Sequence, residues 1–152
     1  MELDQYLVDA TLEVFASMIF IDIAAEPSTP EPPPDIEQNL SSLIGFAGDL
    51  KGLLGIHCPT TVALGITSAM LGMEVSELGE DVKDAIGEIA NMVAGGLKVA
   101  LAPHDKKIEL AIPTTVIGKA IRTSGLSRAT RVVVPFSSPI GRFYVELRFV
   151  LS

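Results

Sequence analysis

Between residues 81 and 101, Asp84, Glu88, Asn91 and Gly95 recur at i, i+4, i+7 and i+11. At ~100° per residue this spacing sets all four on one face of a helix, with Lys98 beside them. Two of them carry usable chemistry. Glu88 is an anionic acceptor, and Asn91, one turn on, has an amide that both accepts and donates hydrogen bonds. A carboxamide does not act as a general base near neutral pH, but it can orient a water.

The flanks of this face are small: Gly87, Ala94 and Gly95 shield nothing. Each helix-interior glycine costs about 1 kcal/mol against alanine, and asparagine is also a poor helix former. A plain solvated face would use Lys, Glu, Gln or Arg. Two readings stay open on the residues alone. Either another backbone or a phosphorylated surface approaches this stripe closely, or it is a solvated face whose glycines serve helix packing.

Other combinations carry less. His57 and Cys58 adjoin in a strand-like run, so their side chains point to opposite faces and do not form a nucleophile pair; Cys58 is expected in the core. His104 falls in a polar turn with Asp105, Lys106 and Lys107 and is expected to be solvated. Two isolated histidines and one cysteine make no zinc spacing. Gly95-Gly96-Leu97-Lys98 lacks the frame of a phosphate-binding loop. Lys119, Arg122, Arg128 and Arg131 gather positive charge between two strands, read as a solvated loop.

The elements that must position the stripe follow from hydropathy. Leu3, Tyr6, Leu7, Ala10, Val14 and Met18 predict a helix over 3–19, and Phe20 to Ala24 a short strand. Five of the ten prolines lie in the surface connection 26–35, which excludes helix and central strand there. Leu40–Ala47 and Gly52–Cys58 predict a hairpin around Gly48-Asp49-Leu50-Lys51. Pro59-Thr60-Thr61 opens a shorter helix to about Leu71, with Thr60 as N-cap and Gly72 as stop. The longest helix runs from about Asp81 to Leu101, with Val82, Ala85, Ile86, Ile89, Val93, Gly96, Leu97 and Ala100 on its core face. Lys107–Ile112, Val132–Phe136 and Arg142–Leu151 read as strands, the last with the alternation of a half-buried antiparallel strand and a candidate dimer edge. The expected class is α+β: one domain over 1–152, a mostly antiparallel sheet, two long helices on one face and one short extra helix.

Composition narrows the partners. The chain has 152 residues, 48% hydrophobic and 20% charged, with a net charge of −8. Nucleic acid and anionic membranes demand a basic footprint that this balance lacks. The apolar run Val14–Ile21 is far short of the ~20 residues of a span, and Met1-Glu2-Leu3-Asp4 is acidic where a signal peptide is basic. One cysteine makes no internal disulfide. These features lead to the expectation of a soluble cytoplasmic protein.

Asp84-Ala85-Ile86-Gly87-Glu88-Ile89-Ala90-Asn91-Met92-Val93-Ala94-Gly95-Gly96 resembles the signature helix of the CheC/CheX/FliY phosphatases of bacterial chemotaxis, most of all its CheX-like branch. Ile112-Pro113-Thr114-Thr115-Val116-Ile117-Gly118 is similar to the segment that follows a strand after that helix. The resemblance implies hydrolysis of the aspartyl phosphate of a CheY-like response regulator. It makes Asn91 and Glu88 the catalytic pair, Asn91 orienting the attacking water and Glu88 pairing with the regulator's active-site lysine. A carboxylate near a phosphoryl group is repelled unless a cation intervenes, which suits anchoring better than base catalysis. Asp84, Gly87 and Gly95 are expected at the partner surface, although Asp84 also suits the helix dipole. The chain needs no cofactor or metal of its own in this reading, since Mg2+ belongs to the regulator.

CheC-type members carry two such motifs. Here the first helix has Leu12 and Ala16 three residues after Asp9 and Glu13, so one site remains, as in the CheX-like branch, which the resemblance associates with homodimers. The alternative is a non-catalytic binding or scaffold module of the same fold that sequesters a signalling partner.

Overall fold

The computed structural model describes residues 2–118 and 129–151. Lys119, Arg122 and Arg128 of the basic group lie outside them. The helices are α1 (Leu3–Val14), α2 (Thr60–Leu71) and α3 (Glu80–Leu101). The strands are β1 (Ala24–Ala25), β2 (Leu40–Gly48), β3 (Leu50–Cys58), β4 (Ile108–Leu110), β5 (Thr114–Ile117), β6 (Thr130–Ser137) and β7 (Phe143–Leu151). All pairings are antiparallel, in the order β1-β6-β7-β3-β2-β4, and β5 continues after β4 along the outer side of β2. The α+β architecture is therefore the one the hydropathy pattern predicts.

The helical stretch from Leu3 to Ile19 also holds, but Phe15–Ile19 winds as a π-helical turn. Phe20 then leaves it in a left-handed conformation (φ 60°), 80% exposed, and only Ala24–Ala25 pair as strand. Leu3, Leu7, Ala10 and Val14 are buried as the spacing requires, whereas Met18, beyond the regular helix, is half exposed.

The β2–β3 hairpin is longer and its turn tighter than expected. Both strands reach Asp49, and Gly48 takes φ 134°, which suits a residue without Cβ. α2 is capped differently from its sequence reading. Thr60 is already helical, and its N–H donates to Asn39 Oδ1 at 2.8 Å; Gly72 ends the helix at φ 66°, as expected.

β7 is not an edge. It pairs with β3 on one side and β6 on the other, so Arg142–Leu151 offers no free ladder for dimerisation. Nor is it half-buried along its length: Tyr144 and Glu146, on the face expected to be solvated, are covered. The cover is the proline-rich connection. Thr29 exchanges two 2.8 Å backbone hydrogen bonds with Val133, Glu26 N–H donates to the Pro135 carbonyl, and Ile36 packs with Val133 and Tyr144. Arg142 clamps Glu26 and Asp35, while Arg131 reaches Glu31.

Helices cover the opposite face. Val82, Ile86, Ile89, Val93 and Leu97 of α3 join Ile44, Leu54 and Ile56 of the sheet and Leu7 of α1 in one core. Fully burying each such side chain contributes about 1.5–3 kcal/mol, which outweighs the ~1 kcal/mol lost at each α3 glycine. By length and composition the helical stretch Glu80–His104 is apolar enough to cross a membrane, but half of its most apolar part is buried inside this fold.

Candidate functional site

The core contacts above decide which way α3 turns. With Val82, Ile86, Ile89 and Val93 buried, Asp84, Glu88 and Asn91 face outward, all exposed, on the side next to β5. They line a groove of about 720 Å³ whose other residues are Glu80, Lys83 and Gly87 of α3 and Ala111, Ile112, Pro113 and Thr115 across from it.

The four small residues have separate jobs. A Cβ on Gly87 would stand 3.2 Å from Thr115 Oγ1 and 3.9 Å from Ser42 Oγ, so this glycine is buried and lets the helix rest on β5 and β2. It forms part of the groove wall but is less open than its place beside the stripe suggested. Ala94 is likewise core, not flank. Gly95 meets nothing within 4 Å and is open to an approaching surface, whereas Gly96 would bring a Cβ to 3.0 Å from Ala10 and is a helix-packing residue. Asp84 lies in the second turn of α3. The acids of the first turn are Glu80 and Asp81, which take the dipole role that the sequence left open for Asp84.

The opposite wall comes from the link Ala111–Pro113 between β4 and β5 and from Thr115 of β5, none of which the sequence assigns to the site. Leu110 pairs with Phe46 and Thr114 with Leu43, so three residues, Ala111 to Pro113, oppose two of β2. This is a one-residue bulge. Pro113 has no N–H for the ladder, while Ala111 keeps its bond to the Gly45 carbonyl at 2.9 Å. Thr115 Oγ1 and Ser42 Oγ, 2.9 Å apart, satisfy each other at the foot of the groove. The groove side of α3 carries Glu80, Asp84 and Glu88 against Lys83, whose ammonium is 3.6 Å from Glu80. Lys98 turns away to Glu109 of β4 at 3.4 Å.

A second polar cluster lies under the proline-rich connection. His57 Nδ1 is 2.7 Å from Ser41 Oγ, and its Nε2 is 2.7 Å from Glu146 Oε1. Arg131 Nε donates to Glu146 Oε2 at 2.8 Å, and Arg148 Nε lies 3.3 Å from the same oxygen. Arg131 is therefore a partner of a buried carboxylate and not a solvated loop residue. Burial pushes the Glu146 carboxyl up, but hydrogen bonds and positive charge from His57 and Arg131 outweigh it and hold it at about 2. Tyr144 hydroxyl, pushed up to about 12 mainly by burial, is bonded to Gln38. Ser41 and His57 are directly opposed on β2 and β3, which hydropathy alone did not reveal.

Cys58 points into the core as expected, and burial pushes its thiol up to about 12, leaving it unreactive. His104 is exposed, with its Nε2 2.5 Å from the Tyr6 hydroxyl. Among the described residues, no group of three or more His, Cys, Asp or Glu is placed to hold a metal ion.

Comparison with known proteins supplies the lineage. The family model described as chemotaxis phosphatase CheX matches residues 40–137, more than half of the chain. A relative in Thermotoga maritima, CheY-P phosphatase CheX, is 32% identical over 125 residues, covering 79% of this chain and 81% of that protein. The crystal structure of chemotaxis protein CheX from Vibrio vulnificus superposes with a TM-score of 0.88 at 28% identity, covering 99% of this chain and 100% of that one. A CheX–CheY–BeF3–Mg2+ complex from Borrelia burgdorferi shares the fold, with a TM-score of 0.84, 20% identity and 97% of each chain covered. The matched segment contains both walls of the groove, α3 and the bulged edge, and the chain belongs to the CheX family of chemotaxis phosphatases.

Proposed function

We propose that this chain is a protein aspartyl-phosphate phosphatase that dephosphorylates a CheY-like response regulator in bacterial chemotaxis, with the exposed Glu88 and Asn91 of α3 as its working pair. The observation that carries this reading is the placement of both side chains, one turn apart, on the wall of an accessible groove in a member of the CheX family. The Thermotoga maritima relative is itself a CheY-P phosphatase.

Hydrolysis of an aspartyl phosphate proceeds by in-line attack of water and needs mainly positioning and charge stabilisation. Asn91 stands on a rigid helix, and its carboxamide oxygen accepts from a water while its NH2 donates to a phosphoryl oxygen. Glu88 anchors the helix by pairing with the regulator's active-site lysine. The regulator's own acidic pocket supplies Mg2+, which neutralises phosphoryl charge there. Asp84 and Gly95 belong to the rim of the contact: Asp84 adds negative charge and Gly95 leaves clearance. Gly87 acts by setting how closely α3 sits on β5. A cytoplasmic location belongs to the same reading, because a response regulator would be met there. The resemblance to the CheX-like branch supports a homodimer as the functional unit, which sedimentation at micromolar concentration tests; a monomer there rejects it.

The decisive experiment follows the decay of phosphate on a CheY-like regulator from the same organism. Wild-type protein accelerates the decay, and Asn91→Ala loses about 10² or more of that acceleration, the size expected for removing one key positioning group. Binding without acceleration by the wild type would establish the scaffold reading instead.

A further inference from the structure

Ile112 is 87% exposed, the most exposed of the large apolar side chains among the described residues. Its exposure is built in. The register along β2 slips by one between Leu110↔Phe46 and Thr114↔Leu43, and the extra residue falls in Ala111-Ile112-Pro113. Pro113 prevents the ladder from closing there, while Ala111 stays bonded to Gly45 and fixes where the slip occurs. Bulges of this kind re-aim a side chain beside an active site. Here the re-aimed side chain lines the same groove as Glu88 and Asn91.

We propose that Ile112 is a docking residue for the response regulator, seating its apolar side chain in a depression on the regulator beside the phosphorylation site while Glu88 and Asn91 reach that site from the facing wall. This rests on the phosphatase reading above and adds to it a specificity contact from a different element. The groove's charge favours the same occupant. Glu80, Asp84 and Glu88 outnumber Lys83, which suits a regulator face carrying a lysine. An apolar contact inside such a rim gives the affinity that exposed charges alone do not supply. Ile112 touches no reacting atom, so its contribution falls on binding of the regulator and not on the hydrolytic step.

The test compares wild type, Ile112→Ala and Ile112→Leu in phosphatase assays on the phosphorylated regulator. It also titrates each against the regulator loaded with BeF3− and Mg2+. Ile112→Ala raises KM and Kd about tenfold or more with kcat within twofold, and Ile112→Leu restores most of the loss. The thermal midpoint and sedimentation coefficient of both variants match the wild type, as a side chain largely in water requires. A KM and Kd within twofold of wild type for Ile112→Ala overturn the inference and leave the phosphatase reading standing. So does a loss confined to kcat, or a change of oligomeric state without a change of Kd. Wild-type protein that neither binds nor dephosphorylates the regulator overturns both.

Discussion

Gly87 of the long helix and Thr115 of the broken edge strand meet so closely that a Cβ on the glycine would stand 3.2 Å from the threonine hydroxyl. That contact sets the width of the groove, because the helix bearing Glu88 and Asn91 rests on the strand at this point. The hydroxyl is itself tied to Ser42 at 2.9 Å. An alanine gains about 1 kcal/mol of helix propensity and loses a similar amount to crowding. Gly87→Ala therefore leaves the unfolding free energy within about 1 kcal/mol of wild type. Gly87→Leu overpacks the junction and costs about 1–3 kcal/mol, with a matching fall in phosphatase activity. Chemical denaturation beside the dephosphorylation assay checks both.

Glu88 and Asn91 should separate kinetically. Asn91→Ala lowers kcat with binding of the BeF3−-loaded regulator retained, since water orientation is needed only for reaction. Glu88→Ala weakens binding instead, and its wild-type counterpart binds less tightly as salt rises from 0.05 to 0.5 M, the range over which the Debye length falls from roughly 14 to 4 Å. Titrations at several ionic strengths distinguish the two. An Asn91 variant that loses binding alone contradicts the assignment.

Acid should unfold the protein in a defined window. Glu146 has a folded pKa of about 2 against an unfolded value of 4.5. A depressed carboxylate contributes stability that is present above its unfolded pKa and is lost as pH falls through the folded one. The loss runs from about pH 4.5 to about pH 2 and amounts to roughly 3 kcal/mol. Glu146→Gln lowers stability at pH 7, because His57 and Arg131 lose their charged partner, and flattens the curve in that window. Denaturation midpoints measured at intervals between pH 7 and 2 give the comparison.

Gly52 faces a harder constraint than any helix glycine. A Cβ there would lie 1.8 Å from the Arg148 carbonyl oxygen, which is backbone of β7 and cannot rotate aside. Gly52→Ala therefore forces two central strands apart and costs more than about 2 kcal/mol. Amide exchange in β3 and β7 should accelerate together in this variant.

The proline-rich connection should loosen when its clamp is removed. Arg142 holds Glu26 and Asp35, at the two ends of residues 26–35. Arg142→Ala makes this stretch the first site of limited proteolysis under native conditions, while cleavage elsewhere is unchanged. Mass mapping of the early fragments locates the cut.

How much of this the chain announced differs from element to element. α3 was legible because its period is local: buried Val82, Ile86, Ile89 and Val93 and exposed Asp84, Glu88 and Asn91 separate on a wheel before any partner is known. Prolines gave away the surface connection in the same way, since each forbids a backbone geometry at its own position. The place of β7 was not legible. Its alternation resembled that of a strand with one wet face, and only the connection laid over Tyr144 and Glu146 makes that face dry. His57 pairs with Ser41 at a separation of 16 residues and with Glu146 at a separation of 89, and both contacts depend on the register of three strands. The capping of α2 by Asn39 is equally remote from its own sequence.

The groove divides along the same line. One wall, with the residues proposed to do the chemistry, is written in the helical repeat of 84, 88 and 91. The other depends on a one-residue slip between β2 and the β4–β5 edge, which re-aims Ile112 and brings Thr115 under Gly87. Helical spacing is a property of neighbouring residues and so lies in the sequence; strand register is a contest among distant pairings, and only the packed structure decides it.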